Sequence, residues 1–258
     1  MPDTASWVTA AQAALDAAGA AIRPYFRAGL SADLKSDESP VTAADRLAEE
    51  ILRETLSRHF PGHGMLGEEY PATQADARYV WVIDPIDGTR AFITGRPSFC
   101  SLLALLEDGV PVLGLIDQPV TGERWIGGRD LPTSFRGNLG GKVGPRKITK
   151  LAEAELSATT PDMFRGTNAQ RFDRLRASCR RNYWGGDAYA YGLLALGQID
   201  IVAECENKPW DWGALVPVIQ AAGGVITDWS GAPLRLGSDG SVLAAANAEL
   251  HAAALAAL

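Results

Sequence analysis

Trp81-Val82-Ile83-Asp84-Pro85-Ile86-Asp87-Gly88-Thr89-Arg90 is the stretch on which both fold and chemistry turn. Tyr79 to Ile83 reads as a buried strand that delivers Asp84 at its C-terminal end. Pro85 fixes its own φ and biases Asp84 towards extended backbone, so two acids three apart can converge on one point. Gly88 permits close approach of a ligand to the main chain. Thr89 opens a short helix, whose free N–H groups suit a phosphate oxygen. A helix cap would account for Asp87 but not for Asp84.

Upstream, the alanine-rich segment from Thr4 to Arg27 has helical spacing, with Pro24 expected to kink or end it. Ser39-Pro40 closes a polar loop, and Thr42 reads as the N-cap of a helix running to about His59. A Pro61-Gly62 turn, with His59 and His63 expected at the surface around it, leads to Gly67-Glu68-Glu69. Downstream, Phe99 to Leu106 and Val110 to Ile116 flank Glu107-Asp108-Gly109, a strong hairpin signal. A strand near Arg124 to Ile126 extends it into an antiparallel meander. The glycine-rich stretch Gly137 to Gly144 is the candidate boundary between an α+β lobe, residues 1–140, and an α/β lobe, residues 141–258, that together make one domain. In the second lobe Asp187 to Gly197 and Asp211 to Ala222 read as helices, and Ile199 to Glu204 and Val225 to Trp229 as strands. The fold class expected is therefore α/β.

The formal charge of −7 argues against a general nucleic-acid binder, and a phosphate substrate would need bound cations to supply the positive field. Cys100, Cys179 and Cys205 form no disulfide framework or zinc knot, and the three histidines lack zinc-ligand spacing. A bound metal must then be held by carboxylates, which selects a hard ion such as Mg²⁺ or Mn²⁺. Without a signal-like N-terminus or a run of about 18 apolar residues, the expectation is a cytoplasmic protein with no membrane partner.

Singly, Asp45, Asp187 and Asp211 each have an ordinary explanation as helix-start residues, and Glu68 as part of a solvated turn. Together, Gly67-Glu68-Glu69, Asp84-Pro85-Ile86-Asp87-Gly88-Thr89 and Trp210-Asp211, with Asp45 upstream, resemble the motifs of the inositol monophosphatase family across nearly the whole chain. The resemblance implies a layered αβαβα sandwich of the inositol monophosphatase and fructose-1,6-bisphosphatase type. It implies a phosphomonoesterase in which Glu68, Asp84 and the Ile86 carbonyl hold one Mg²⁺ and Asp84, Asp87 and Asp211 a second. A weaker third ion would lie near Glu68. Asp45 and Thr89 would activate water, and the Gly88 and Thr89 amides would hold phosphate. Paired metals suit this chemistry, because a phosphate monoester is already anionic and resists attack until neutralised. No DxDx[TV] or Cx₅R run points instead to a phosphoenzyme.

Further runs are similar to the histidinol-phosphatase branch: Asp84 to Pro97, Leu113 to Pro119 followed by Thr121 to Arg124, Gly185 to Tyr191 and Lys208 to Asp211. That branch releases L-histidinol in histidine biosynthesis. Asp187, Glu204 and Asp211, with Arg90 shaping the site, would contact the leaving alcohol, whose ammonium and imidazole suit carboxylates. Ala188, Trp210 and the segment Pro97 to Cys100 depart from the branch pattern. The rivals are an inositol-1-phosphatase or broad sugar phosphatase of the same fold, and a non-catalytic binding module. The resemblance also implies a homodimer.

Overall fold

The computed structural model describes residues 4–28, 33–34, 40–41 and 43–258. Helix α1 (Thr4–Ile22) ends where Pro24 imposes a single 3₁₀ turn, Arg23–Tyr25, short of the expected Arg27. Strands β1 (Asp33–Leu34) and β2 (Pro40–Val41) pair antiparallel before α2 (Ala43–His59). The expected cap Thr42, and Ser39, lie outside the described residues.

Six strands follow: β3 (Gly64–Gly67), β4 (Tyr79–Asp87), β5 (Cys100–Glu107), β6 (Val110–Gln118), β7 (Glu123–Gly128) and β8 (Leu131–Arg136). They lie side by side in chain order, antiparallel except for the β3–β4 pair. Helix α3 (Thr89–Ile93) interrupts them after β4. The β5–β6 hairpin closes through Asp108 and Gly109 at φ 49° and 78°, the primed turn that Asp-Gly favours.

After an irregular stretch, β9 (Glu155–Ala158), α4 (Gly166–Ser178), β10 (Arg181–Trp184), α5 (Asp187–Ala195), β11 (Ile201–Glu204), α6 (Pro209–Trp212), α7 (Leu215–Ala222), β12 (Val225–Thr227), β13 (Val242–Ala245) and α8 (Ala248–Ala257) complete the chain. The second sheet is five-stranded, ordered β10-β9-β11-β13-β12. The helix expected from Asp211 to Ala222 is broken into α6 and α7. Pro217 cannot donate to the Gly213 carbonyl, and its ring crowds that group, so the turn cannot run through.

Alternation along the strands sets the layers. Trp81 and Ile83 face α1 and α2, packing with Leu15, Ala18, Leu52 and Leu56. Val80 and Val82 face the other way, into a core shared with α5 and α7 through Leu194, Leu215 and Ile219. Val202 and Val242 of the second sheet close that same core. Their neighbours Ile201, Ala203 and Leu243 face α4 and α8 through Phe172, Leu175 and Leu250. The order is thus helices, sheet, helices, sheet, helices, the αβαβα sandwich expected. His59 is exposed, but His63 is not the surface residue anticipated. It is half-buried and stacks on Phe60 with centroids 4.8 Å apart, and burial lowers its pKa.

Candidate active site

β4 and β5 pair regularly from Tyr79↔Glu107 to Asp84↔Leu102, slip by one residue, and resume at Asp87↔Cys100. Pro85 lies at the slip, where it has no N–H to give the ladder, and its carbonyl accepts the Ser101 hydroxyl at 2.6 Å. In an unbroken strand, residues 84 and 87 would point to opposite faces. The bulge re-aims them, so that one oxygen each of Asp84, Asp87 and Asp211 lie within 4.8 Å of one another. Asp211 arrives from α6, where its Oδ2 also accepts the Lys208 N–H at 2.6 Å; it is both helix cap and cluster member. Three residues on, Gly114 in β6 admits the start of α7, since a Cβ there would overlap the Ala214 carbonyl.

These carboxylates, with Glu68, line an inner cavity of about 180 Å³. It adjoins an outer chamber of about 420 Å³ that reaches Arg90, Thr94, Arg96 and Thr160. Gly88, at φ 81°, turns the chain into α3 and leaves room for the Asp187 side chain, whose Cγ would lie 2.9 Å from a Cβ at that position. Asp187 itself adopts φ 44°, strained for a residue with a Cβ, and the next N–H, that of Ala188, donates to Asp87 Oδ2 at 2.6 Å.

The pattern that defines the inositol monophosphatase family matches residues 3–258. The chain belongs to the inositol monophosphatase family. Among its relatives is the bifunctional phosphatase IMPL2, chloroplastic, of Arabidopsis thaliana, 43% identical over 93% of this chain and 71% of that protein. A histidinol-phosphatase of Mycobacterium tuberculosis is 38% identical over 86% of this chain and 85% of its own. A solved inositol monophosphatase from Zymomonas mobilis superposes with a TM-score of 0.89 at 47% identity, covering 100% of this chain and 99% of that one. Relatives thus carry both substrate names within a family of metal-dependent phosphatases.

The site residues expected from the sequence fall as follows. Asp45, 1% exposed on the inner face of α2, is near enough to push up the Asp84 pKa. Glu68 follows the end of β3 and lines both cavities. Thr89 lines both as well, and its hydroxyl donates to the Ile86 carbonyl at 3.1 Å; that oxygen keeps a second lone pair. Arg90 is exposed on the rim, where its charge acts on Asp187. Glu204 lines the inner cavity, but both its oxygens are engaged: Oε1 by the Thr159 N–H and hydroxyl at 2.9 and 2.6 Å, Oε2 by the Tyr191 hydroxyl at 2.9 Å. Thr159 and Tyr191 carry no signal in the sequence that marks them as partners of Glu204. Arg96, also on the chamber wall, gives only the signal of a basic residue after a glycine.

Burial, then the charge of Glu68, raises the Asp84 pKa well above the carboxylate range; burial, then Asp187, does the same to Asp87. Burial likewise pushes Asp187 and Asp211 up to about 7. Among the described residues no Lys, Arg or His lines the inner cavity. Asp84 Oδ1 is buried and has no hydrogen-bond partner among the described residues. Clustered, desolvated oxygen donors without a counter-charge are costly unless a cation joins them, and all-oxygen donors fit a hard divalent ion.

Proposed function

We propose that this chain is a Mg²⁺-dependent histidinol-phosphatase, converting L-histidinol phosphate and water to L-histidinol and phosphate in histidine biosynthesis. The observation that carries the hydrolytic reading is the inner cavity, in which Asp84, Asp87 and Asp211 converge with no basic side chain among them. In this proposal Glu68, Asp84 and the Ile86 carbonyl hold one Mg²⁺, Asp84, Asp87 and Asp211 a second, and a weaker third ion sits by Glu68; Mn²⁺ can replace them. Bound there, the ions supply Lewis-acid neutralisation of the phosphate and lower the pKa of water. The protein's own groups do the rest. The Asp45 carboxylate takes a proton from the attacking water, while the Thr89 hydroxyl, anchored on Ile86, orients it. The Gly88 and Thr89 amides hold the phosphate; as the ester P–O bond breaks, the leaving alkoxide takes one proton from solvent, matching the one passed to Asp45, and departs as the alcohol towards the outer chamber.

Histidinol phosphate is favoured by Glu68 and Asp187 on the wall of the outer chamber and by the relatives that bear that activity's name. Asp187, Glu204 and Asp211 would face the ammonium and imidazole, with Arg90 shaping the rim. Inositol-1-phosphatase is the second reading, supported by the 47% identical structure from Zymomonas mobilis and a 34% identical relative from Rhizobium meliloti. The deciding measurement is kcat/KM with Mg²⁺ for histidinol phosphate, inositol 1-phosphate and fructose 1,6-bisphosphate. A tenfold preference for inositol 1-phosphate, about 1.4 kcal/mol, overturns the first reading. We also propose a cytoplasmic homodimer acting on small molecules, with neither nucleic acid nor membrane as partner; light scattering reading one 27.4 kDa chain would refute the dimer. Among the described residues no helix is long and apolar enough to cross a membrane.

A further inference from the structure

Glu49 is fully buried on the inner face of α2, one turn beyond Asp45, and lies outside both cavity walls. Both its oxygens are committed. Oε1 accepts from Arg53 Nε at 2.7 Å, and Oε2 accepts the main-chain N–H of Glu69 at 2.8 Å. Arg53 in turn donates from Nη2 to the Tyr70 carbonyl at 3.0 Å, and the Tyr70 hydroxyl donates to Glu50 Oε1 at 2.6 Å. Helix α2 therefore grips residues 69 and 70 at an N–H, a carbonyl and a hydroxyl. On the other side, β3 stops at Gly67, whose last ladder partner is Ile83. A Cβ at Gly67 would overlap the Glu49 carboxylate, so the glycine is what lets that carboxylate lie against the strand end.

Glu68 stands between this strand end and this clamp. Its charge bears on Asp84 and on Asp211, which it repels. Like charges drive one another towards water unless the backbone that carries them is fixed.

We infer that Glu49, working with Arg53, is a positioning residue that holds Glu68 inside the cation-binding cluster. The inference rests on the ligand role of Glu68 proposed above. A ligand held in place loses less freedom when the ion arrives, and supporting contacts of this kind are worth about ten- to hundredfold in metal affinity. Because Glu68 itself survives when Glu49 is changed, the loss falls on affinity rather than on turnover at saturating metal.

The test is calorimetric titration of Mn²⁺ into the metal-free intact chain, with a thermal melt of each protein: the parent, Glu49→Ala, Glu49→Gln, Arg53→Met and Glu68→Gln. Glu49→Ala weakens Mn²⁺ binding by about ten- to hundredfold. Glu49→Gln falls between it and the parent, since Arg53 and Glu69 each take a different oxygen of Glu49 and an amide replaces one of the two with a donor. Arg53→Met, which frees the Tyr70 carbonyl, moves the same way and keeps the test decisive should Glu49→Ala fold poorly. A lowered melting temperature with unchanged Mn²⁺ affinity in the folded Glu49 and Arg53 proteins overturns the inference. If Glu68→Gln also binds like the parent, the ligand role of Glu68 has failed; if Glu68→Gln alone is weakened, only the positioning role has.

Discussion

Replacing Asp84 with asparagine removes one charge from a buried cluster and keeps its shape. The metal-free parent bears the cost of burying that group and, after it, the repulsion of Glu68, Asp87, Asp211 and Asp45. Melted in a chelator at neutral pH, Asp84→Asn is expected to be the more stable protein, by about 2–4 °C for each kcal/mol recovered. Its phosphate release with Mg²⁺ is expected to fall by about a hundredfold or more. Activity retained at the parent level would remove Asp84 from the metal assignment. Asp187 and Asp211 set a pH dependence of the metal-free fold. Their folded pKa values near 7 lie above the ordinary value of about 4, so the folded chain keeps protons that the unfolded chain releases. The stability these two groups contribute is therefore full below about pH 4 and is lost as pH rises through about 7; melting in a chelator between those values should show a steady fall. Asp84 and Asp87 are readable in the sequence because proline, glycine and two acids crowd one short run. Glu49, Thr159 and Tyr191 are not, since each acts on a residue far away in the chain and looks, in its own neighbourhood, like any helix or loop residue.

At the scale of elements, two glycines separate stability from function. Gly109 closes the β5–β6 hairpin at φ 78°, and a Cβ added there would meet its nearest neighbour, Leu236, at an ordinary contact distance of 3.8 Å. Gly109→Ala therefore costs only backbone strain, about 1–2 kcal/mol in denaturant melts, with kcat unchanged. Gly114→Ala is a different matter, because its Cβ drives into the Ala214 carbonyl and lifts the start of α7. A comparable cost of about 1–3 kcal/mol should come with weaker metal activation, since α6 and Asp211 move with that helix. If Gly114→Ala loses stability alone, the coupling of β6 to Asp211 is absent. The elements that sequence patterning misses are those with weak patterns. Helix α4 buries only Phe172 and Leu175, α8 is so rich in alanine that no apolar stripe stands out, and β10 is a largely exposed edge strand. The hairpin and α2, by contrast, declare themselves through a turn dipeptide and a clear apolar period.

For the molecule as a whole, an excess of acid over base is reconciled with an anionic substrate only if ions enter the fold. Metal binding should then be visible as folding stability. Mg²⁺ at a hundred times its dissociation constant is expected to add about 2.7 kcal/mol per site to unfolding, reversed by a chelator and lost in Asp211→Asn. A melting temperature indifferent to Mg²⁺ would contradict a site of this kind.

Asp84 and Asp87 hang from the first sheet, whereas Asp211 and Asp187 come from the helices that lie between the two sheets. During synthesis the first pair emerges long before the residues that complete the cluster. A nascent chain that has not reached Asp211 thus lacks one of the three carboxylates that converge in the inner cavity, and the cation site proposed here is incomplete until α6 is made.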